Sequence, residues 1–186
     1  MVTGQIETPS STTASDLSNP TRVITTTNPE NGVSFFEGSF DKSVGVVRNL
    51  GGSLLRLAYA LDQAPQVLNR SDLEIYGGFL KSVSHLASPG GGANVWYIDT
   101  PPGARSPMHR TVSLDFVIAV EGELQLTLDS GETRILKVGD IVIQRGTTHQ
   151  WRNVNKDKWA RMIGVMSEIQ PITLNNGTKL GTSGLG

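Results

Sequence analysis

Cysteine is absent from this 186-residue chain. That absence excludes disulfides, thiolate metal ligands and a cysteine nucleophile. Histidine is scarce, with three in all, and aromatic residues make up only 6%, so any imidazole-based site has few candidates. Charge of one sign is missing too: 16 Lys and Arg against 17 Asp and Glu leave a formal net charge of −1. No basic cluster stands out, so neither nucleic acid nor an anionic membrane is an expected partner. No apolar run approaches the roughly 20 residues that span a bilayer. Residues 1–20 are rich in Ser and Thr and lack the apolar core of a secretion signal. The expectation is a cytoplasmic protein built around one domain.

Glycine and proline, by contrast, are well supplied, with 21 and 9 residues, and they punctuate short apolar runs. Strand-like stretches lie at 23–27, 33–36, 44–47, 93–99, 123–128, 135–138, 141–143 and 160–166. Residues 54–59 read as a strand or as one or two amphipathic helical turns, because Leu, Ala and Arg favour helix. Residues 62–72 read as a loop or short helical connector, and 73–76 and 80–86 are weakly patterned. Ser88-Pro89-Gly90-Gly91-Gly92 is a flexible loop; no helix bearing a Lys-Ser/Thr pair follows, as a phosphate cradle would need. Short strands and frequent turns predict an all-β sandwich or barrel. The domain plan is a flexible or swapped N-terminal arm over 1–25, one domain over 26–170, and an irregular tail over 171–186.

Chemistry concentrates between Gly103 and Asn153. His109, Thr111 and Asp115 carry odd numbers in what reads as one extended run, so their side chains share a face. A later loop delivers His149. Two imidazoles and a carboxylate suit a divalent metal with open coordination positions, and they suit equally a metal-free acid/base cluster. A histidine on a strand also serves as a plain packing residue, and spacing alone does not choose between these. Around this trio, Tyr97, Arg105, Thr111, Gln144, Trp151 and Met162 are the candidate substrate-binding residues. Arg105 would clamp a carboxylate, Gln144 would present an amide, and Trp151 shares the parity of His149. Met166 shares a face with Met162. Arg110 points away from His109 and is expected in a structural pair; His85 is expected to pack or face solvent.

The pattern Gly103-x5-His109-x-Thr111-x3-Asp115-x6-Gly122 resembles the first cupin motif. Gly139-Asp140 through Gly146-x2-His149-x3-Asn153 resembles the second. The segments from Ser106 to Asp115 and from Gln144 to Asn153 are similar to those of small single-domain cupins found beside fungal secondary-metabolite enzymes. The match covers residues 93–170 well and the front half loosely. It implies a double-stranded β-helix, or jelly-roll, barrel with an N-terminal arm and few short helices, pairing as a homodimer. It further implies a small-molecule substrate and one divalent metal, Fe, Mn, Ni or Zn, held by His109, Asp115 and His149. Three departures bear on that set. Thr111 stands where the family's second histidine usually is, Asp115 where its glutamate is, and Gln144 where a proline is. The expected function is a tailoring enzyme of polyketide-type natural-product biosynthesis, a lyase, isomerase or cyclase with His109 or His149 as base. Asp115 beside it would raise its pKa and fix its tautomer, or ligate the metal. A metal-dependent oxidoreductase or dioxygenase, and a non-catalytic ligand-binding cupin, are the alternatives.

Overall fold

The computed structural model describes residues 14–82 and 85–185. Among them are two antiparallel sheets that face one another across an apolar core. The larger has six strands in the order β3 (Arg48–Leu50), β4 (Ser53–Ala60), β5 (Ala93–Thr100), β11 (Ala160–Glu168), β6 (Ser113–Glu121), β9 (Ile141–Arg145). The smaller has three, in the order β10 (His149–Asn153), β7 (Leu124–Leu128), β8 (Thr133–Leu136). This is the jelly-roll expected from the sequence. A separate two-stranded ribbon, β1 (Ile24–Thr27) with β2 (Ser34–Glu37), precedes it.

Period-two alternation builds the two faces. Along β11 the buried positions are Ala160, Met162, Gly164 and Met166, and along β6 they are Ser113, Asp115, Val117 and Ala119. These meet Leu55, Leu57, Trp96 and Ile98 from the same sheet and Leu124, Leu126, Leu136 and Trp151 from the other. The chain crosses between sheets at Glu121-Gly122-Glu123. Gly122 takes φ +71°, and a Cβ there would lie 3.1 Å from Ala160 Cβ, so glycine is needed for both reasons.

Residues 54–59, ambiguous in sequence, are strand: β4 pairs with β5 from Leu54 opposite Asp99 to Leu57 opposite Trp96. The register then shifts, which turns Tyr59 outward while Ala60 returns to the core. Residues 44–47 are not a strand; the run begins later, as β3. A helix absent from the sequence expectation, α1 (Ser71–Lys81), packs on β4. Gly77 and Gly78 in its interior weaken its intrinsic propensity. Tertiary contacts compensate. Tyr76 is fully buried, its hydroxyl donates to Leu57 O at 3.0 Å, and its ring meets those of Phe40 and Tyr59 at 5.0 and 4.7 Å.

The described part of the N-terminal arm is tied to its own barrel. Asn19 Oδ1 accepts from Arg56, Ser18 O accepts from Arg161, and the Arg22 guanidinium contacts the Tyr76 hydroxyl. Beneath this arm Asp99, fully buried, binds Arg161 at 2.5 and 2.7 Å and Arg56 at 3.2 Å. The remainder of the expected arm, residues 1–13, lies outside the described residues. Residues 171–185 are not featureless: Thr173 bridges Lys179, and Ser183 bridges Arg110. No helix among the described residues is long and apolar enough to cross a membrane.

Candidate active site

The segment from Ala104 to Arg110 runs antiparallel beside β10 and carries half the site. Asn153 N donates to Ala104 O and Ser106 N to Trp151 O, while His109 and His149 exchange two backbone hydrogen bonds, at 2.9 and 2.8 Å. That direct opposition brings the imidazole centroids to 4.3 Å, tilted by 56°. Trp151, two residues on and therefore on the same face, stands edge-on to His149 at 6.3 Å. Asp115 arrives from the facing sheet. On β6 it sits opposite Gln144 of β9 and Met166 of β11, so all three side chains are directed inward.

Together these residues line a cavity of about 60 Å³ between the sheets, room for a few waters or the head of a small molecule. Its walls include Leu55, Ile98, Val117, Trp151, Met162 and Met166. Its polar groups are Ser53, Thr100, Ser106, His109, Thr111, Asp115, Gln144 and His149. Of the residues expected from sequence, His109, Asp115, His149, Thr111, Gln144, Trp151 and Met162 are thus gathered in one place.

Tyr97 and Arg105 are not. Tyr97 lies on the outer face of β5, under the Arg161 guanidinium at 5.8 Å, because its neighbours Ile98 and Trp96 take the inward face. Arg105 is exposed, its backbone paired with Arg152, so it clamps nothing in the cavity. Arg110 does make its structural pair, donating from Nε and Nη2 to Thr148 Oγ1. Ile98, Val117, Leu55, Leu86 and Ser106 are lining residues that the sequence reading omitted. Val117 was open to discovery by its parity with Asp115; β5 was not, since apolar residues occupy both of its faces.

Each imidazole has its tautomer set from behind. His109 Nδ1 lies 2.9 Å from Pro107 O and His149 Nδ1 lies 3.0 Å from Thr147 O. A carbonyl can only accept, so both Nδ1 atoms carry the proton and both Nε2 atoms keep a lone pair. This corrects the expectation that Asp115 orients a histidine and raises its pKa. Burial instead pushes both imidazoles down, His149 to about 4, with the nearby His109 contributing. They are neutral at physiological pH. Burial pushes the Asp115 carboxyl the other way, up to about 6, partly offset by the Ser113 hydroxyl.

Three buried polar atoms facing this cavity have no protein partner: Asp115 Oδ1, Gln144 Oε1 and Gln144 Nε2. Unsatisfied buried polar atoms cost about 1–3 kcal/mol each, so their convergence marks a place where a ligand completes the bonding. The set does not, as arranged, fit a three-ligand metal centre. Among the described residues no three His, Cys, Asp or Glu side chains form a group able to hold a metal ion. The geometry supplies the reason: the histidines belong to the 104–110/β10 layer, whereas the carboxylate stands on the opposing sheet with one methylene fewer than glutamate. His109 and His149 are the pair that would share a metal.

The C-terminal segment buttresses His109 from outside. Arg110 and Ser183 exchange backbone hydrogen bonds at 2.9 and 3.0 Å, and Gly184 follows with φ +74°. A Cβ on Gly184 would sit 2.2 Å from Met108 O, a backbone atom. Gly184→Ala should therefore detach this strap, at a cost of about 1–3 kcal/mol, with loss of hydrogen-exchange protection at the Arg110 and Ser183 amides. Unchanged protection there would show that the strap does not depend on glycine.

The fold and paired motifs agree with what sequence comparison finds. A cupin domain model matches residues 96–166. Phomopsin biosynthesis cluster protein C' of Diaporthe leptostromiformis is 39% identical over 172 residues, 92% of this chain and 90% of the relative. Oryzines biosynthesis cluster protein J of Aspergillus oryzae is 38% identical, over 85% of this chain and 88% of the relative. A cupin-domain-containing oxidoreductase of Neurospora crassa is 37% identical, over 87% and 80%. The chain belongs to the cupin family, and its fungal relatives include proteins named for biosynthesis clusters and others named cupin-domain-containing oxidoreductases.

Proposed function

We propose that this chain is a tailoring enzyme of fungal secondary metabolism that moves protons on a small organic substrate held between the two sheets, in a lyase, isomerase or cyclase reaction. The unpartnered carboxylate and amide in a cavity between the sheets, opposite two imidazoles of fixed tautomer, support this reading. The relatives' names support the biosynthetic setting.

The roles differ from the sequence expectation. A general base works best when its pKa lies near the working pH. Asp115, at about 6, meets that condition better than His149, at about 4. Asp115 is therefore assigned the proton transfer to and from carbon. His109 and His149 accept hydrogen bonds from the substrate through Nε2 and orient it. Gln144 Nε2 donates to the oxygen on which negative charge develops, in a site of low dielectric where one such bond is worth about 2.7–4 kcal/mol.

The names of several relatives favour oxidoreduction as a second reading. A metal at His109 and His149 would supply redox chemistry. The discriminating experiment incubates purified protein, in D2O, with the intermediate that accumulates when its gene is deleted. Proton transfer predicts exchange of a carbon-bound proton with solvent, read as deuterium at carbon in the product of an isomerisation or cyclisation or in the recovered substrate of a reversible elimination. It also predicts no oxygen uptake and turnover that survives chelation. Oxygen consumption that stops with the chelator, together with stoichiometric iron, manganese or nickel by elemental analysis, would replace it with the oxidoreductase.

A further inference from the structure

The lining of the proposed site is one-sided in charge. Its lining contains no Lys or Arg among the described residues, and its ionisable members are His109, Asp115 and His149. Both histidines are in the Nδ1–H form, so each shows the cavity a lone pair and no donor. Asp115 adds a carboxylate whose Oδ1 is unbonded. The donors that remain are few. Gln144 offers its amide NH2, and the other donors are neutral hydroxyls, Thr111 paired with Ser113 at 2.7 Å and Thr100 paired with Ser53 at 3.5 Å. Ser106 is spent: its hydroxyl donates to Pro107 O and its oxygen accepts from Trp151 N.

A ligand head entering this space meets three strong acceptors, one neutral amide and the hydroxyls of Thr111 and Thr100, with no cation among them. A carboxylate or phosphate there would face Asp115 with no cation to offset the repulsion, inside walls of Ile98, Val117, Met162 and Met166 that cannot solvate it. The cation that sequence placed nearby, Arg105, is outside on the surface.

Resting on the reading of this cavity as the active site, we infer that its substrate is a neutral molecule whose reacting end donates hydrogen bonds, a hydroxyl or enol on an apolar frame, and that free acids are rejected. The lone pairs of His109 and His149 select the O–H groups. Gln144 takes the single accepting oxygen. Asp115 both orients the head and enforces the exclusion of anions.

Ring-matched fragments separate the terms: cyclohexanol, cyclohexanone and cyclohexanecarboxylate, titrated at pH 8 with protein as purified and again after chelation. The readout is built in, because two of the three histidines line the cavity and their imidazole C–H resonances report binding at this place alone. Cyclohexanol should bind most tightly, the ketone less well, and the carboxylate at least tenfold more weakly than the alcohol. Asp115→Asn should narrow that gap by improving carboxylate binding. Carboxylate affinity equal to the alcohol's overturns the inference and leaves the active-site reading standing. So does carboxylate binding that vanishes on chelation, since a bound cation would then set the preference. If none of the three shifts either imidazole, the cavity is not a ligand site and both readings fail.

Discussion

Replacing Asp115 by asparagine should stabilise the protein at pH 8 while abolishing its turnover. The carboxyl is 4% exposed, and burial raises its pKa from 3.8 to about 6. A carboxyl whose folded pKa lies above its unfolded value helps the fold only below the unfolded pKa. That help is lost as pH rises through the folded pKa. Here the window runs from about pH 4 to about pH 6, and about two units correspond to an upper bound near 3 kcal/mol. Asparagine removes the charge and keeps the shape. The melting temperature of Asp115→Asn should exceed wild type by about 5 °C at pH 8 and match it at pH 4. Turnover should fall by about 10²–10⁴, the usual loss for a general base. A variant less stable than wild type at pH 8 would mean that the carboxylate is already satisfied in the native protein.

Asp99→Ala should give the largest loss of stability of any single change considered. Its carboxylate is completely buried between two guanidiniums, Arg56 at 4% exposure and Arg161. Removing the anion strands two cations, and breaking a buried pair in this way costs about 3–5 kcal/mol. For a chain of this size that is roughly 10 °C of melting temperature. The damage should spread to the arm, because the same guanidiniums hold Asn19 and Ser18. Hydrogen exchange across residues 18–27 should accelerate along with global unfolding measured in urea. A loss below 1 kcal/mol would falsify the claim that this triad anchors the arm.

These two carboxylates differ in a way that no single position reveals. Both are aspartates in alternating β-strands, yet Asp99 is neutralised by arginines from β4 and β11, and Asp115 faces an open bond. The difference depends on which strand pairs with which. Leu54 stands opposite Asp99 across β4–β5, with Arg56 two positions along, and Arg161 stands opposite it across β5–β11. Those pairings span 43 and 62 residues of sequence.

The site itself was largely readable. Period-two parity put His149 with Trp151, and it also put His109, Thr111 and Asp115 on one face of a single run. That run is in fact broken, with His109 paired to His149 beside β10 and Asp115 on β6 of the facing sheet, so the three meet across the cavity and not along one strand. Those residues do line one cavity. Parity failed at Tyr97, where both faces of the strand are apolar and only the neighbouring strands decide which is inside. It failed differently at Arg105, a loop residue to which no period applies. The helix α1 escaped notice because Gly77 and Gly78 lower its propensity, and its packing through Tyr76 on β4 is a tertiary event.

By itself, then, the sequence determined the all-β class, most strands and turns between Ala93 and Glu168 (though not β10, where it suggests only a loop delivering His149), and the identity of the imidazoles and carboxylate. Local alternation and turn chemistry carry that information, and they act within a few residues. The tertiary structure alone decided what those groups can do. The carbonyls of Pro107 and Thr147 set both tautomers, and burial drove the histidine and aspartate pKa values in opposite directions. Placing Asp115 on the sheet facing His149 made an acceptor-rich cavity rather than a three-ligand metal centre. Each of these is a property of groups far apart in sequence sharing a low-dielectric space, and it exists only once the sheets have closed on one another.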